Sequence, residues 1–211
     1  MPQEREFKFS LLDAAPDDGL LLDAFRGSPF ALRPRGTRRQ LDAYVDTPDG
    51  ALRRAGVALR RRQVDGVRSA TLKTSGSVMG ALHEREEVEA ALQPGEDWPE
   101  PVRERLRQLA PVALERLGTQ VLLRTERRVF DVLRGERLLA QLCFDEVSAR
   151  APDAEREALF REAELEAAEG VDPAQLEAVL ERLDRAVTLT PSGISKLERA
   201  EALLSLGAVL E

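Results

Sequence analysis

The chain has 211 residues, 43% of them hydrophobic and 33% charged, so it can bury a core and is too apolar to stay disordered. Its 31 basic and 38 acidic side chains leave a net charge of −7, which weighs against a general nucleic-acid binder, and its single cysteine, Cys143, excludes disulfide frames and Cys-rich zinc sites. No apolar run approaches the roughly 20 residues of a membrane span, and Met1 leads into charges rather than a secretory stretch, so a cytoplasmic location without membrane attachment is expected.

The first segment, Gln3 to Ser10, alternates with period two and predicts a strand. Asp17-Asp18 ahead of Leu20, Leu21, Leu22 and Phe25 predict a helix that stops near Gly27. From Arg38 to Ala91 strand-like runs are broken by Pro48-Asp49-Gly50, Asp65-Gly66, Ser75-Gly76 and Gly80. A helix is predicted from Pro101 to Leu117, closed by Gly118, and strands over Val121–Leu133 and Leu138–Val147. The stretch Ala154–Ala168 is helical by propensity, but Glu162, Glu164 and Glu166 alternate with Ala163, Leu165 and Ala167, so Arg161 to Ala167 is read as a strand. Asp172-Pro173 predict a helix start running to Ala186, and a last helix runs from Ser195 to Leu206. One domain over residues 1–211 is expected, with strands first and helices packed around them.

The basic residues are nearly all arginine; the lysines are Lys8, Lys73 and Lys196. Ionisable or polar groups share one alternating face in five strand candidates: Glu4/Glu6/Lys8, Arg60/Arg62, Thr71/Lys73, Arg85/Glu87/Glu89 and Glu162/Glu164/Glu166. The opposite faces carry Phe7, Phe9, Leu72, Val88 and Leu165, which require burial. A closed sheet with charges in the lumen and apolar residues outward under helices meets both demands and inverts the usual small barrel. Arginine and lysine in such a lumen supply donors for phosphate oxygens. Glu4 with Glu6, and Glu164 with Glu166 on another wall, put paired carboxylates within reach of a hard cation such as Mg2+ or Mn2+.

At these residues the chain resembles the CYTH superfamily, the triphosphate tunnel metalloenzymes. The Glu-x-Glu-x-Lys signature stands as Glu4-Arg5-Glu6-Phe7-Lys8, followed by Tyr44-Val45-Asp46-Thr47, then Leu59-Arg60-Arg61-Arg62. Thr71-Leu72-Lys73, Arg85-Glu86-Glu87, Arg124–Arg128, Phe144-Asp145, Glu162–Glu166 and Ser195-Lys196 follow in order. Leu197 departs from the pattern, since an aromatic often follows Ser-Lys.

The resemblance implies an α+β fold: an eight-stranded antiparallel β tunnel, a closed barrel with a charged lumen, flanked by helices. Carried over by position, Lys8, Arg60, Arg62, Lys73, Arg85 and Lys196 bind phosphates, joined by Arg124 and one of Arg127 or Arg128, of which strand parity favours Arg128. Glu4, Glu6, Glu164 and Glu166 bind Mg2+ or Mn2+, with Glu87, Asp145 and Glu162 as further ligands or partners of the basic residues. Glu4, Glu6, Lys8, Lys73 and Arg85 form the catalytic set.

The stretch Gly80 to Arg85 looks most like the bacterial inorganic triphosphatase branch, which makes tripolyphosphate the expected partner and its hydrolysis to pyrophosphate and phosphate the expected reaction. The alternatives are a class IV adenylate cyclase, a thiamine or nucleoside triphosphatase, or a non-catalytic polyphosphate-binding module. His83, the only histidine, is read as supporting a loop, and Cys143 as a buried small hydrophobe.

Overall fold

The computed structural model describes residues 3–208. Its strands are β1 (Gln3–Leu11), β2 (Phe30–Asp46), β3 (Val57–Val64), β4 (Val67–Thr74), β5 (Ser77–Met79), β6 (Leu82–Ala91), β7 (Gly118–Arg134), β8 (Arg137–Arg150), β9 (Ala158–Ala167) and β10 (Thr190–Pro191). The helices are α1 (Asp18–Phe25), α2 (Ala51–Arg54), α3 (Glu100–Leu109), α4 (Glu177–Leu183) and α5 (Lys196–Ala208).

Eight strands run antiparallel in the order β1-β9-β8-β7-β2-β3-β4-β6, and β1 pairs with β6 to close the barrel. The short β5 and β10 attach to β6 and β1. Antiparallel pairing sets the lumen from register alone: Glu6 faces Glu166, Lys8 faces Glu164, and Glu162 faces Asp145. The strand read for residues 161–167 is β9, so its alternation overrode its helix propensity.

The outward face is apolar in two places, and each is covered by helices. Phe9, Phe130, Phe144 and Leu165 pack under Leu21 and Phe25 of α1 and Val179 and Leu183 of α4. Val45, Leu59 and Leu72 pack under Leu52 of α2, Trp98, and Val102 and Leu106 of α3. A third cluster lies inside, where Tyr44, Val121, Leu123, Val147 and Ala149 meet Ala200, Leu197 and Leu204 of α5. The lumen is therefore charged over one part and filled by a helix over the other. Leu197, the departure from the family pattern, is one of the residues that fills it.

Local signals account for most boundaries. The Asp17 side chain accepts from Leu20 N at 2.9 Å and caps α1, which ends before Gly27 at φ 71°. The helix predicted to reach Leu117 stops at Leu109, because Pro111 turns Ala110 extended; only a 3-10 turn at Leu114–Arg116 follows. The helix predicted from Pro173 starts as a 3-10 turn, becomes α4 at Glu177 and ends at Leu183. β2 begins at Phe30, eight residues before its expected start, since its register shift between Pro34 and Gly36 accommodates both breakers. No helix among the described residues is long and apolar enough to cross a membrane.

Phe130 is fully buried and meets Phe144 edge to face with centroids 6.3 Å apart. Phe130→Ala is expected to cost about 3–5 kcal/mol, a fall in thermal midpoint on the order of 10 °C by calorimetry.

Candidate functional site

The lumen opens as a cavity of about 1100 Å3. Nine lysine and arginine side chains line it: Lys8, Arg60, Arg62, Lys73, Arg85, Arg127 and Lys196, which belong to the charge network of the wall, and Arg5 and Arg53, which do not. Nine carboxylates face them: Glu4, Glu6, Asp42, Glu87, Glu89, Asp145, Glu162, Glu164 and Glu166. All three lysines of the chain are among the cations.

The charges form a chain of alternating sign around the wall. Asp42 on β2 takes two hydrogen bonds of 2.7 Å from Arg62 and lies 3.9 Å from Arg60, which reaches Glu87 at 3.9 Å. Glu87 lies 2.9 Å from Lys73, whose ammonium donates to Glu4 at 2.7 and 2.9 Å. Arg85 bridges Glu4 at 2.7 Å and Glu6 at 2.5 Å, and Lys8 joins Glu6 at 3.2 Å to Glu164 at 2.7 Å. Arg127 spans Glu164 and Asp145, and Lys196 lies 2.6 Å from Asp145, 2.9 Å from Glu162 and 3.6 Å from Glu164.

Burial and these pairings move the protonation equilibria in opposite senses. Burial pushes the Glu4 carboxyl up, but Lys73 and Arg85 outweigh it and hold the group well below the usual range. Asp42 is held at about 2: burial raises it, and the Arg62 hydrogen bonds with the charges of Arg60 and Arg62 lower it further. Burial opposes the charged form of Lys8 and Lys196, but the surrounding carboxylates raise both well above an ordinary lysine. Glu166 behaves differently. Its side chain is exposed to the cavity yet enclosed by the walls, and that enclosure, reinforced by Glu4 and Glu6, pushes it up to about 7.

These carboxylates suit a hard cation in two ways. Asp145, Glu162 and Glu164 offer oxygen ligands that all lie within 4.8 Å of one another, but Lys196, Arg127 and Lys8 already neutralise them. Glu166 has no ion pair among the described residues and stands opposite Glu6, where a divalent ion would relieve the repulsion that raises it. An all-oxygen set of this kind fits a hard divalent cation rather than a soft metal.

Thirteen of the fifteen site residues expected from sequence face this lumen: Glu4, Glu6, Lys8, Arg60, Arg62, Lys73, Arg85, Glu87, Asp145, Glu162, Glu164, Glu166 and Lys196. Arg128 does not. It lies outside, over the rings of Phe130 and Phe144 at 5.6 and 5.3 Å, and donates to the Pro16 carbonyl and to Asp18. Arg124 shares its parity on β7 and is exposed outside as well. Arg127 takes the lumen position, because Asp145 on β8 is its cross-strand partner.

Asp42 was not anticipated, although it shares a strand face with Tyr44 of the motif. The Asp46-Thr47 part of that motif is structural: Asp46 accepts from the backbone N–H of Thr47, Leu52 and Arg53, and Thr47 Oγ1 from Ala51. His83 donates to the Ser192 carbonyl at 2.7 Å and steadies the segment ahead of Lys196. Cys143 is buried, and burial pushes its thiol up to about 12, which leaves it inert. Gly76 touches the strand carrying Arg85 so closely that an added Cβ would lie 1.9 Å from the Glu84 carbonyl oxygen.

The family model described as CYTH domain matches residues 2–200. The chain belongs to the CYTH family. Similar solved structures share its fold. HpAC1 from Hippeastrum, named for adenylyl cyclase and described as having a dominant triphosphatase activity, is 21% identical over 94% of this chain and 95% of its own, with a TM-score of 0.70. A Bacillus halodurans protein also named for adenylate cyclase is 20% identical over 94% of this chain and 98% of its own, with a TM-score of 0.59. The PH1819 protein of Pyrococcus horikoshii is 17% identical over the same shares, with a TM-score of 0.57. The lumen described above is thus a CYTH triphosphate tunnel.

The folded pKa of Asp42 lies below its unfolded value, so its stabilisation is complete above about pH 4 and disappears as pH falls toward 2. The stability difference between wild type and Asp42→Asn is expected to shrink by roughly 2 kcal/mol over that window, measured by urea melts at each pH. Asp145→Ala, which strips Arg127 and Lys196 of a fully buried partner, is expected to cost about 3–5 kcal/mol in the same assay at pH 7.

Proposed function

We propose that this chain, acting as one tunnel domain, hydrolyses inorganic tripolyphosphate to pyrophosphate and phosphate with Mg2+ or Mn2+ as cofactor. The observation that carries this reading is the lining of the cavity: nine lysine and arginine side chains, and among the described lining residues no aromatic ring besides Tyr44 and the imidazole of His83, which is held by the Ser192 carbonyl. Tyr44 stands directly across the β2–β3 pair from Arg60 and is itself buried. A string of phosphates needs charge and donors, whereas a base or a thiamine ring needs a stacking surface.

In this reading Lys73 and Arg85 turn from Glu4 to phosphate oxygens, and Lys8, Arg60, Arg127 and Lys196 extend the same wall, with Arg62 at its edge. The exchange frees Glu4, Glu6 and Glu164, which together with Glu166, unpaired among the described residues, would hold a divalent ion. That ion, when bound, supplies positive charge to the phosphate oxygens. The fixed cations stabilise charge on the transferring phosphoryl group and on the departing pyrophosphate, where positioning and electrostatics carry most of the catalysis.

A second reading takes support from the names of HpAC1 and the Bacillus halodurans protein: ATP as substrate, through class IV cyclase or nucleoside triphosphatase chemistry. A thiamine triphosphatase belongs with it, and a non-catalytic polyphosphate binder would use the same wall.

Phosphate release from tripolyphosphate with Mg2+ or Mn2+ tests the proposal. Wild type is expected to turn over tripolyphosphate faster than ATP or thiamine triphosphate and to stop on chelation. Glu4→Gln and Lys73→Ala are each expected to lower the rate by about 10²-fold. Equal rates in all three proteins would overturn it, and tight tripolyphosphate binding without metal-stimulated release would favour the binding module.

A further inference from the structure

The outer wall of the barrel is covered by α1 and α4 over one cluster and by α2 and α3 over another. Elsewhere β4, β3, β2, β7 and β8 leave a groove of about 460 Å3. Strand register sets two adjacent rows across it. One reads Arg68, Gln63, Leu41, Arg124; the other reads Arg61, Ala43, Leu122, Arg150. In each row two arginines stand three strands apart, roughly 14 Å at ordinary strand spacing, with Gln63 and Leu41 between them in the first row and Ala43 and Leu122 in the second.

This grouping runs against the chain's overall sign, which is −7. Among the described residues, neither Arg68 nor Arg124 has a carboxylate within ion-pairing distance. Arg61 lies over Trp98 at 4.4 Å with Asp97 at 3.5 Å, and Arg150 donates to the Pro152 carbonyl at 3.1 Å. Of the two acids in the lining, Glu157 accepts from Ser148, and Asp42 points its carboxylate to Arg62 in the lumen. Leu41 is 51% exposed at the centre.

We propose that this groove binds an extended acidic peptide segment of a partner protein, with carboxylates at positions i and i+4 and an apolar side chain at i+2. An extended peptide rises about 3.3–3.4 Å per residue, so its i and i+4 carboxylates stand roughly 13 Å apart on one face and reach an arginine at each end of a row. The guanidinium fork suits carboxylates, and the intervening apolar residue covers Leu41 and Leu122. A nucleic acid or a phosphate chain gains nothing from that floor, and no aromatic in the groove lining offers a base a stacking face. The proposal is independent of the chemistry in the lumen.

Fluorescence anisotropy tests it with a labelled nine-residue probe, two Glu-Ser-Leu-Ser repeats closed by Glu, added to the full chain at low salt with tripolyphosphate present to occupy the lumen. The probe is expected to bind, to bind at least fivefold more weakly when its leucines are serine, and to weaken as salt is raised. Arg68→Glu with Arg150→Glu is expected to lower affinity at least tenfold without moving the thermal midpoint, and Leu41→Ser to lower it severalfold. Absence of binding, an affinity unchanged in the arginine double variant, or tighter binding of labelled oligothymidylate or long-chain polyphosphate that is lost in that variant would each overturn the proposal.

Discussion

The alternating chain of charge inside the barrel is the constraint on which the remaining structure depends. Removing an ion from water costs several kcal/mol even after relaxation, and a lone buried charge is more costly than a matched pair. Lys8, Arg85, Arg127 and Lys196 each touch two or more carboxylates, so each penalty is offset from more than one side. The side chains are thereby held at set positions before any ligand arrives, which is the condition for electrostatic preorganisation. The same pairing means that an incoming anion competes with carboxylates for every cation it meets.

Strand alternation sends every second residue outward, and over much of this barrel those residues are apolar and need cover. Phe9, Phe130, Phe144 and Leu165 cannot face water together, so α1 and α4 lie over them, and α2 and α3 do the same for Leu59 and Leu72. The helices therefore take the place of the hydrophobic filling that a small barrel ordinarily keeps inside. The lumen retains some of that filling where α5 meets Val121, Leu123 and Val147, so one helix contributes Lys196 to the charged region and Ala200 to the apolar one.

Much of this was legible in the sequence because period-two alternation reports which side chains share a face. Glu162, Glu164 and Glu166 marked β9 against its helix propensity, and Glu4, Glu6 and Lys8 marked the inner face of β1. Alternation reports that two faces differ but not which one is inner, and on β7 both parities carry arginine and large apolar residues. There Arg124 and Arg128 were expected inside, whereas pairing with Asp145 selects Arg127. That choice depends on a contact between residues 18 apart on neighbouring strands, which no local pattern encodes. Asp42 went unread although it shares a face with Tyr44, since its importance comes from Arg62 across the β2–β3 pair. The early end of α3 was readable from Pro111, but Gly118 offered a stop signal of its own further on.

The seam of the barrel has its own consequence. β1 is the strand that closes the cylinder, paired to β9 on one side and to β6 on the other over Gln3 to Phe7. Its even positions Glu4, Glu6 and Lys8 belong to the inner wall, while Phe9 belongs to the outer core. A slip of this one strand by a single residue would evert it, carrying greasy rings into the tunnel and acids beneath the helices. Ring closure and the chemistry of the cavity are thus locked to one register, and neither can be lost without the other.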